Sequence, residues 1–345
     1  MSGRISRDDT YWQKRLRAVE RFSESYSRKA YSKIQSAFTL AERDIQKEIN
    51  VWYARLAANN NISLSEAKRF LDRSELAEFK WDVAEYIKHS RESAVSGEWA
   101  KQLENASARV HISRLEALKI HTQHPLEKAF QAESDAVEEM ARNIVEEDYY
   151  RTIFEVQRGV HIGWNIGEID QRKLERIISK PWTTDGKTFS GRIWKRKRKM
   201  VHDLHQELTR SCIYGRPFEE TVQKIEQYAR SSVKNARYAA ERLVRTETAY
   251  FRSISQKEAL ERIGVKWYKI DLTIDDRTCP ICREMNGKIF PMSEFEIGVT
   301  VPPFHPNCDL GSMTPTSPEN VEGEDELIDQ ILREIEGEEP LSEKE

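Results

Sequence analysis

The sequence predicts a mainly α protein, a long-helix N-terminal body followed by a small α+β C-terminal module. Three observations carry that prediction. Apolar residues recur at steps of three and four from Tyr11 to Ala58, the spacing of one face of a helix. The chain is 33% charged, yet its 345 residues include only 14 Gly and 11 Pro. That composition suits long solvated helices better than a sandwich or barrel. A run rich in β-branched and aromatic residues, "VKWYKIDLTI", begins only at Val265.

The first element follows from Leu16, Val19, Tyr26, Ala30, Ile34, Ala37, Ala41, Ile45, Ile49, Trp52 and Leu56, which predict one long helix or two nearly collinear ones. "NNNIS" interrupts it, and Ser63 with Glu66 forms a capping box that opens the next helix. Helices are then expected over 75–90 and 98–121, with a further one after Pro125 over 126–158. Pro181, the Asp185-Gly186 turn and Ser190 as N-cap mark a loop feeding a helix with Ile193, Trp194, Met200, Val201, Leu204 and Leu208 on its apolar side. Two more helices are expected over 218–228 and 233–263, the second closed by Gly264 at the position where helices favour glycine. "VKWYKIDLTI" then reads as a strand, and "GKIFPM" as its short antiparallel partner. The expected divisions are an extended helical region at 1–180, a helical connector at 181–230, the module at 231–315 and an acidic tail at 316–345. The tail reads as largely disordered, with one short amphipathic helix carrying Leu327, Ile328, Ile331, Leu332 and Ile335.

Charge and cysteine usage narrow the class. The formal net charge of −3 hides a tail, Glu319–Glu345, of net −10 on a body of net +7. A mildly basic body is compatible with contact to nucleic acid or to an acidic partner. No apolar run approaches the length of a membrane span, and "MSGRISRDDTYW" lacks the apolar core of a signal peptide, so an intracellular protein is expected. In a reducing compartment, clustered cysteines point to metal or chemistry before disulfides.

Three of the four cysteines cluster in "DDRTCPICREMNGKIF" and "PPFHPNCDL". Cys279 and Cys282 form C-x2-C, and His305 and Cys308 form H-x2-C. Two such pairs, each on a turn stiffened by Pro280, Pro303 and Pro306, give a tetrahedral cation its four ligands. Soft thiolates and one imidazole suit Zn²⁺ over Mg²⁺ or Ca²⁺. Four protein ligands leave no place for an activated water, so the expected zinc is structural. The competing reading is a set of packed, reduced thiols or a disulfide. The deaminase signature fails, because His305 is followed by Pro-Asn-Cys with no glutamate two residues on. Cys212, in "LTRSCIYG", reads as a small buried residue.

Other features carry two readings each. Lys195, Arg196, Lys197, Arg198 and Lys199 could grip DNA phosphates, but five consecutive residues surround a helix, and a solvated face is the plainer reading. Arg245, Glu247, Asp276 and Arg277 read as a structural polar network. Alternatively, Asp275 and Asp276 would bind Mg²⁺ in a metal-dependent nuclease acting on DNA. Arg277 and Arg283 are also placed to balance a negatively charged Cys3His zinc site. His202 and His205 read as surface residues, and the eight tryptophans as packing.

"RLVRTETAYFRS", "DDRTCPICREMNGKIFP" and "PPFHPNC" together resemble the C-terminal domain of the phage head morphogenesis family, the phage Mu protein F-like minor head proteins. The upstream "DGKTFSGRIWKRK" resembles members from phages and prophages of Gram-positive bacteria. The resemblance covers 181–308 and places the Mu F-like module at 231–315. It implies a non-enzymatic minor capsid component of the virion, present in the host cytoplasm during assembly and acting in head morphogenesis or DNA ejection. The implied partners are the portal protein, capsid or scaffold protein, and double-stranded DNA, with no membrane. The chain departs from the family in one place. Many relatives read H-P-N-C-R-C, whereas Cys308 here precedes Asp309 and Leu310.

Overall fold

A computed structural model describes residues 9–59, 114–160, 167–213, 218–274, 278–308 and 311–316, together with 88–89, 92, 96–99 and 163. Its helices are α1 (Asp9–Asn59), α2 (Arg114–Val160), α3 (Gln171–Ser179), α4 (Phe189–Ile213), α5 (Phe218–Arg262) and α6 (Pro280–Met285). The strands are β1 (Trp267–Leu272), β2 (Ile289–Pro291) and β3 (Gly311–Thr316), in one antiparallel sheet of order β2-β1-β3. The protein is thus mainly helical with a small sheet near its C-terminal end. The capping box at Ser63 and Glu66, most of the helices expected over 75–113, the side chain of Cys212, Asp275 to Arg277 and the acidic tail lie outside the described residues. Among the described residues no helix is long and apolar enough to cross a membrane.

Several helices differ from expectation in extent. The 11–58 stretch is one helix, as its period suggests. Pro125 does not divide α2, which runs through it. Leu118, Thr122, Leu126 and Phe130 are buried on either side, and this burial outweighs the roughly 3 kcal/mol an interior proline costs. Similarly, 218–228 and 233–263 are one helix. Ser231 turns its hydroxyl back to the Tyr228 carbonyl at 2.9 Å, so the serine is absorbed into the helix. Helix α4 begins at Phe189, one residue before the expected cap. Helix α3 had no forecast, although Asp170 caps it by accepting the Arg172 N–H at 2.9 Å.

The chain falls into two compact units. The first comprises residues 1–30, 137–188 and 242–345. Its core includes Leu16, Val19, Ile144, Val145, Ile153, Phe251, Leu260, Tyr268, Ile270 and Met313. Ser255 donates to the Val145 carbonyl at 2.7 Å, and Arg15 pairs with Glu155 at 2.6 Å. Gly159 is required where it stands, since a Cβ there would lie 2.4 Å from the rigid Trp12 ring.

At the centre of this unit lies Arg252, with 0% exposure. Its Nε donates to the Gly311 carbonyl at 2.9 Å, and one terminal nitrogen donates to Ser312 Oγ at 2.6 Å. The other bonds reach the Leu16 carbonyl and Ser23 Oγ, both at 3.3 Å. Asp148 Oδ2 lies 3.6 Å away and Glu20 Oε2 4.0 Å. One guanidinium therefore joins α1, α2, α5 and β3.

The second unit comprises residues 31–136 and 189–241. Ile34, Phe38, Ile45, Ile49, Leu126, Phe130, Ile193, Leu204, Leu208, Ile225 and Val233 form its core, with Phe38 and Phe130 edge to face at 5.0 Å. Its buried charges are paired. Lys197 donates to both oxygens of Glu127 at 3.0 Å, and Arg196 binds Glu133.

His124 and His205 of the second unit and Asp148 of the first should respond oppositely to acid. In the second unit, burial, reinforced by His89, brings His124 down to about 4 from 6.5. Burial likewise brings His205 to about 4 from 6.5, against the Lys119 carbonyl that its ring meets. In the first unit, burial pushes Asp148 up to about 6 from 3.8, against Arg252 and Ser23. As pH falls from 6.5 towards 4, the unfolded chain binds histidine protons that the native second unit refuses, so that unit loses stability. Native Asp148 instead takes its proton at higher pH than the unfolded chain, a contribution fully present at low pH and lost as pH rises through about 6. Hydrogen exchange at pH 5 against pH 7, corrected for intrinsic rates, should show the second unit opening more easily, by on the order of 1–2 kcal/mol. The first unit should not follow it.

Candidate metal centre

The Cys/His cluster belongs to the first unit and is built on the sheet. Strand β1 forms where its composition predicts a strand, with Tyr268 and Ile270 buried, and pairs with β2 through Tyr268↔Phe290. The turn before β2 is pinned to β1: Asn286 Oδ1 accepts the Leu272 N–H at 2.8 Å, and the Gly287 N–H meets the Ile270 carbonyl at 2.7 Å. Gly287 has φ +81°, a conformation that favours glycine. Helix α6 is held between β1 and that turn.

Cys279 caps α6, its Sγ accepting the Cys282 N–H at 3.3 Å, and Pro280 supplies a first residue with no N–H to satisfy. The second pair stands on a turn closed by the Cys308 N–H to the His305 carbonyl at 3.0 Å. Asn307 takes φ +62° in that turn, and its N–H binds Thr246 Oγ1 of α5 at 3.1 Å. The Pro302-Pro303 bond before it is cis. Thr300 orders the preceding loop, accepting from Tyr268 Oη and from the Glu296 N–H, both at 2.9 Å.

Three of the four side chains come together, and Cys308 joins them through Cys282. His305 Nε2 lies 2.9 Å from Cys279 Sγ and 3.6 Å from Cys282 Sγ. Cys282 Sγ lies 3.4 Å from Cys308 Sγ. The ligand atoms of Cys279, Cys282 and His305 all lie within 4.8 Å of one another. Cys282 and Cys308 are 3% and 2% exposed, and all three cysteines are free thiols. Burial works against the Cys279 thiolate, but the Cys282 N–H and His305 outweigh it, holding its pKa below the usual thiol value. Burial, then the neighbouring Cys308, pushes Cys282 up, and burial raises Cys308.

Of the expected polar network, Arg245 and Glu247 lie among the described residues. Glu247 is buried and accepts from Trp182 Nε1 at 3.0 Å, while Trp182 stacks on Tyr250 at 4.7 Å. Arg245 is exposed, and Asp276 and Arg277 lie outside the described residues. Arg283 donates to the Thr278 carbonyl at 3.0 Å. Of the basic stretch, Arg196 and Lys197 turn inward, whereas Lys195, Arg198 and Lys199 are exposed, Lys199 pairing with Asp203 at 2.6 Å. His202 is exposed as expected, but His205 is half-buried, because it faces the Lys119 carbonyl at 3.3 Å.

Two features had no forecast. Strand β3, "GSMTPT", is composed like a loop, yet all six residues are buried. Its polar groups are met by Arg252 and by Gln256, whose Oε1 accepts the Met313 N–H at 3.1 Å. Arg252 itself stands in the quoted "AYFRS". A basic residue opposite a small polar strand three residues past the last cysteine was the only available signal.

No curated protein and no solved structure shows a significant match to the chain. Residues 202–309 match the family model described as phage Mu protein F like protein. That span takes in the end of α4, all of α5, the pinned turn and both ligand pairs, so the chain carries a phage Mu protein F-like domain, as its motifs indicate.

Proposed function

We propose that the chain is a minor head protein of a phage or prophage, acting non-enzymatically in head morphogenesis as a virion component. The match of 202–309 to the phage Mu protein F-like family carries this reading. The polar chemistry within that span supports an architectural role. Thr246, Glu247 and Arg252, which all stand in "RLVRTETAYFRS", each hold another segment of the first unit. The portal is the partner we assign, with assembly in the host cytoplasm preceding incorporation into the head. The long exposed faces of α1 and α4 offer partner surface, and Lys195, Arg198 and Lys199 are the exposed cations of the basic stretch that we assign to contact with packaged DNA.

Co-expression with the portal protein encoded in the same genome is the test. The expected result is co-purification of the chain with portal oligomers through size exclusion. Migration apart from them would remove the portal assignment. Incubation with plasmid and Mg²⁺ or Mn²⁺ tests the non-enzymatic part, for which no cleavage is expected. Cleavage that an Asp275→Ala variant abolishes would replace this reading with that of a nuclease.

A further inference from the structure

We propose that Cys279, Cys282, His305 and Cys308 bind one Zn²⁺ ion in a closed tetrahedral site that fastens the two ligand turns to each other. Zn–S bonds of about 2.3 Å and Zn–N bonds of about 2.0 Å give tetrahedral edges of roughly 3.5–3.8 Å. Three of the six donor separations, 2.9, 3.4 and 3.6 Å, are close to those edges, and Cys308, which meets the other three donors through Cys282, supplies the fourth. The turns that carry them are already set by hydrogen bonds, so little ordering remains for the metal to impose.

The imidazole is in the required form. His305 Nδ1 lies 2.9 Å from the Pro306 carbonyl, which can only accept, so Nδ1 carries the hydrogen. Nε2 then presents its lone pair to Cys279 and Cys282, the arrangement in which histidines ligate metals. A second group, His89, Glu92 and His124 in the other unit, fails this same criterion. There Trp99 Nε1 donates to His124 Nδ1 at 3.1 Å, which puts the hydrogen of the neutral ring on Nε2, facing Glu92 at 3.5 Å. Lys128 occupies the same Glu92 oxygen at 2.7 Å. That group is an internal hydrogen-bonded knot.

Donor chemistry selects the ion. Three sulfurs and a nitrogen favour Zn²⁺ over the hard cations, and four protein donors complete its usual number. The ion's work is mechanical. Cys308 stands three residues before Gly311, which Arg252 grips, and Asn307 binds α5, so the site fixes the last turn before β3. The absent second cysteine of the family's H-P-N-C-R-C pattern is not needed for this set.

The test uses the full chain, purified without chelators under reducing conditions. Elemental analysis should find one zinc per chain, and Co²⁺ replacement should give the intense visible bands of a tetrahedral thiolate site. Cys308→Ser should weaken zinc retention more than about 10-fold. His305→Cys should keep the metal with shifted cobalt bands, a rescue that a merely structural histidine would not show. Reduced protein without stoichiometric zinc would overturn the proposal, as would a Cys282–Cys308 disulfide in its place. Unchanged cobalt bands in Cys308→Ser would equally overturn it, by removing the fourth ligand. Each outcome is independent of whether the portal binds.

Discussion

Arg252→Met should destabilise the first unit by about 3–5 kcal/mol, a large share of what holds an ordinary domain folded. The side chain fits the space, so the cost is electrostatic. Asp148 is 0% exposed and Glu20 is 9% exposed, and both would lose the cation they face. The Gly311 carbonyl and Ser312 hydroxyl of β3 would lose their donor as well. Arg252→Lys should recover part of the loss, since the charge remains. A single ammonium, however, cannot reach β3 and α1 together as the planar fork does. Asp148→Asn should make the Arg252→Met change cheaper by about 0.5–3 kcal/mol, the coupling expected between groups in one network. Urea unfolding followed through a first-unit probe measures the four variants, the double one included, against wild type. A cost below about 1 kcal/mol for Arg252→Met would show that the network does not hold the unit.

Why this residue went unread in the sequence is a matter of range. A helical arginine is by default a solvated surface group, and nothing local distinguishes Arg252 from Arg242 or Arg245. Its partners are Leu16, Ser23, Asp148, Gly311 and Ser312, all distant in the chain. The same holds for β3, whose polar composition makes sense only once Arg252 and Gln256 face it. Features set by local chemistry were legible. The three-and-four period of α1 and the β-branched and aromatic run of β1 each state their conformation within a few residues. The ligand pairs belong to this group, because C-x2-C and H-x2-C spacing together with prolines defines two turns. That the turns meet had to come from the fold. The misjudged helix limits share one cause. Pro125 and Ser231 are breakers by propensity, but burial of the flanking apolar positions overrides them.

The basic stretch of α4 shows how a single local motif divides between structure and surface. Lys197→Met should cost about 3 kcal/mol, because Glu127 is 1% exposed and takes both its oxygens' bonds from the lysine at 3.0 Å. Gln123 donates to the same carboxylate at 2.8 Å, but a neutral amide cannot offset a buried charge. Gln in place of Lys195, Arg198 and Lys199 should instead change stability by no more than about 0.5 kcal/mol per site, as exposed positions do. Binding to duplex DNA at varied salt separates the two groups further. If the stretch contacts phosphates, the triple variant should flatten the slope of log K against log salt by up to about 0.9 for each contact removed. Lys197→Met should leave that slope unchanged while lowering the unfolding midpoint. A loss of DNA affinity that follows Lys197, with stability intact, would place that lysine on the outer face and contradict its pairing with Glu127.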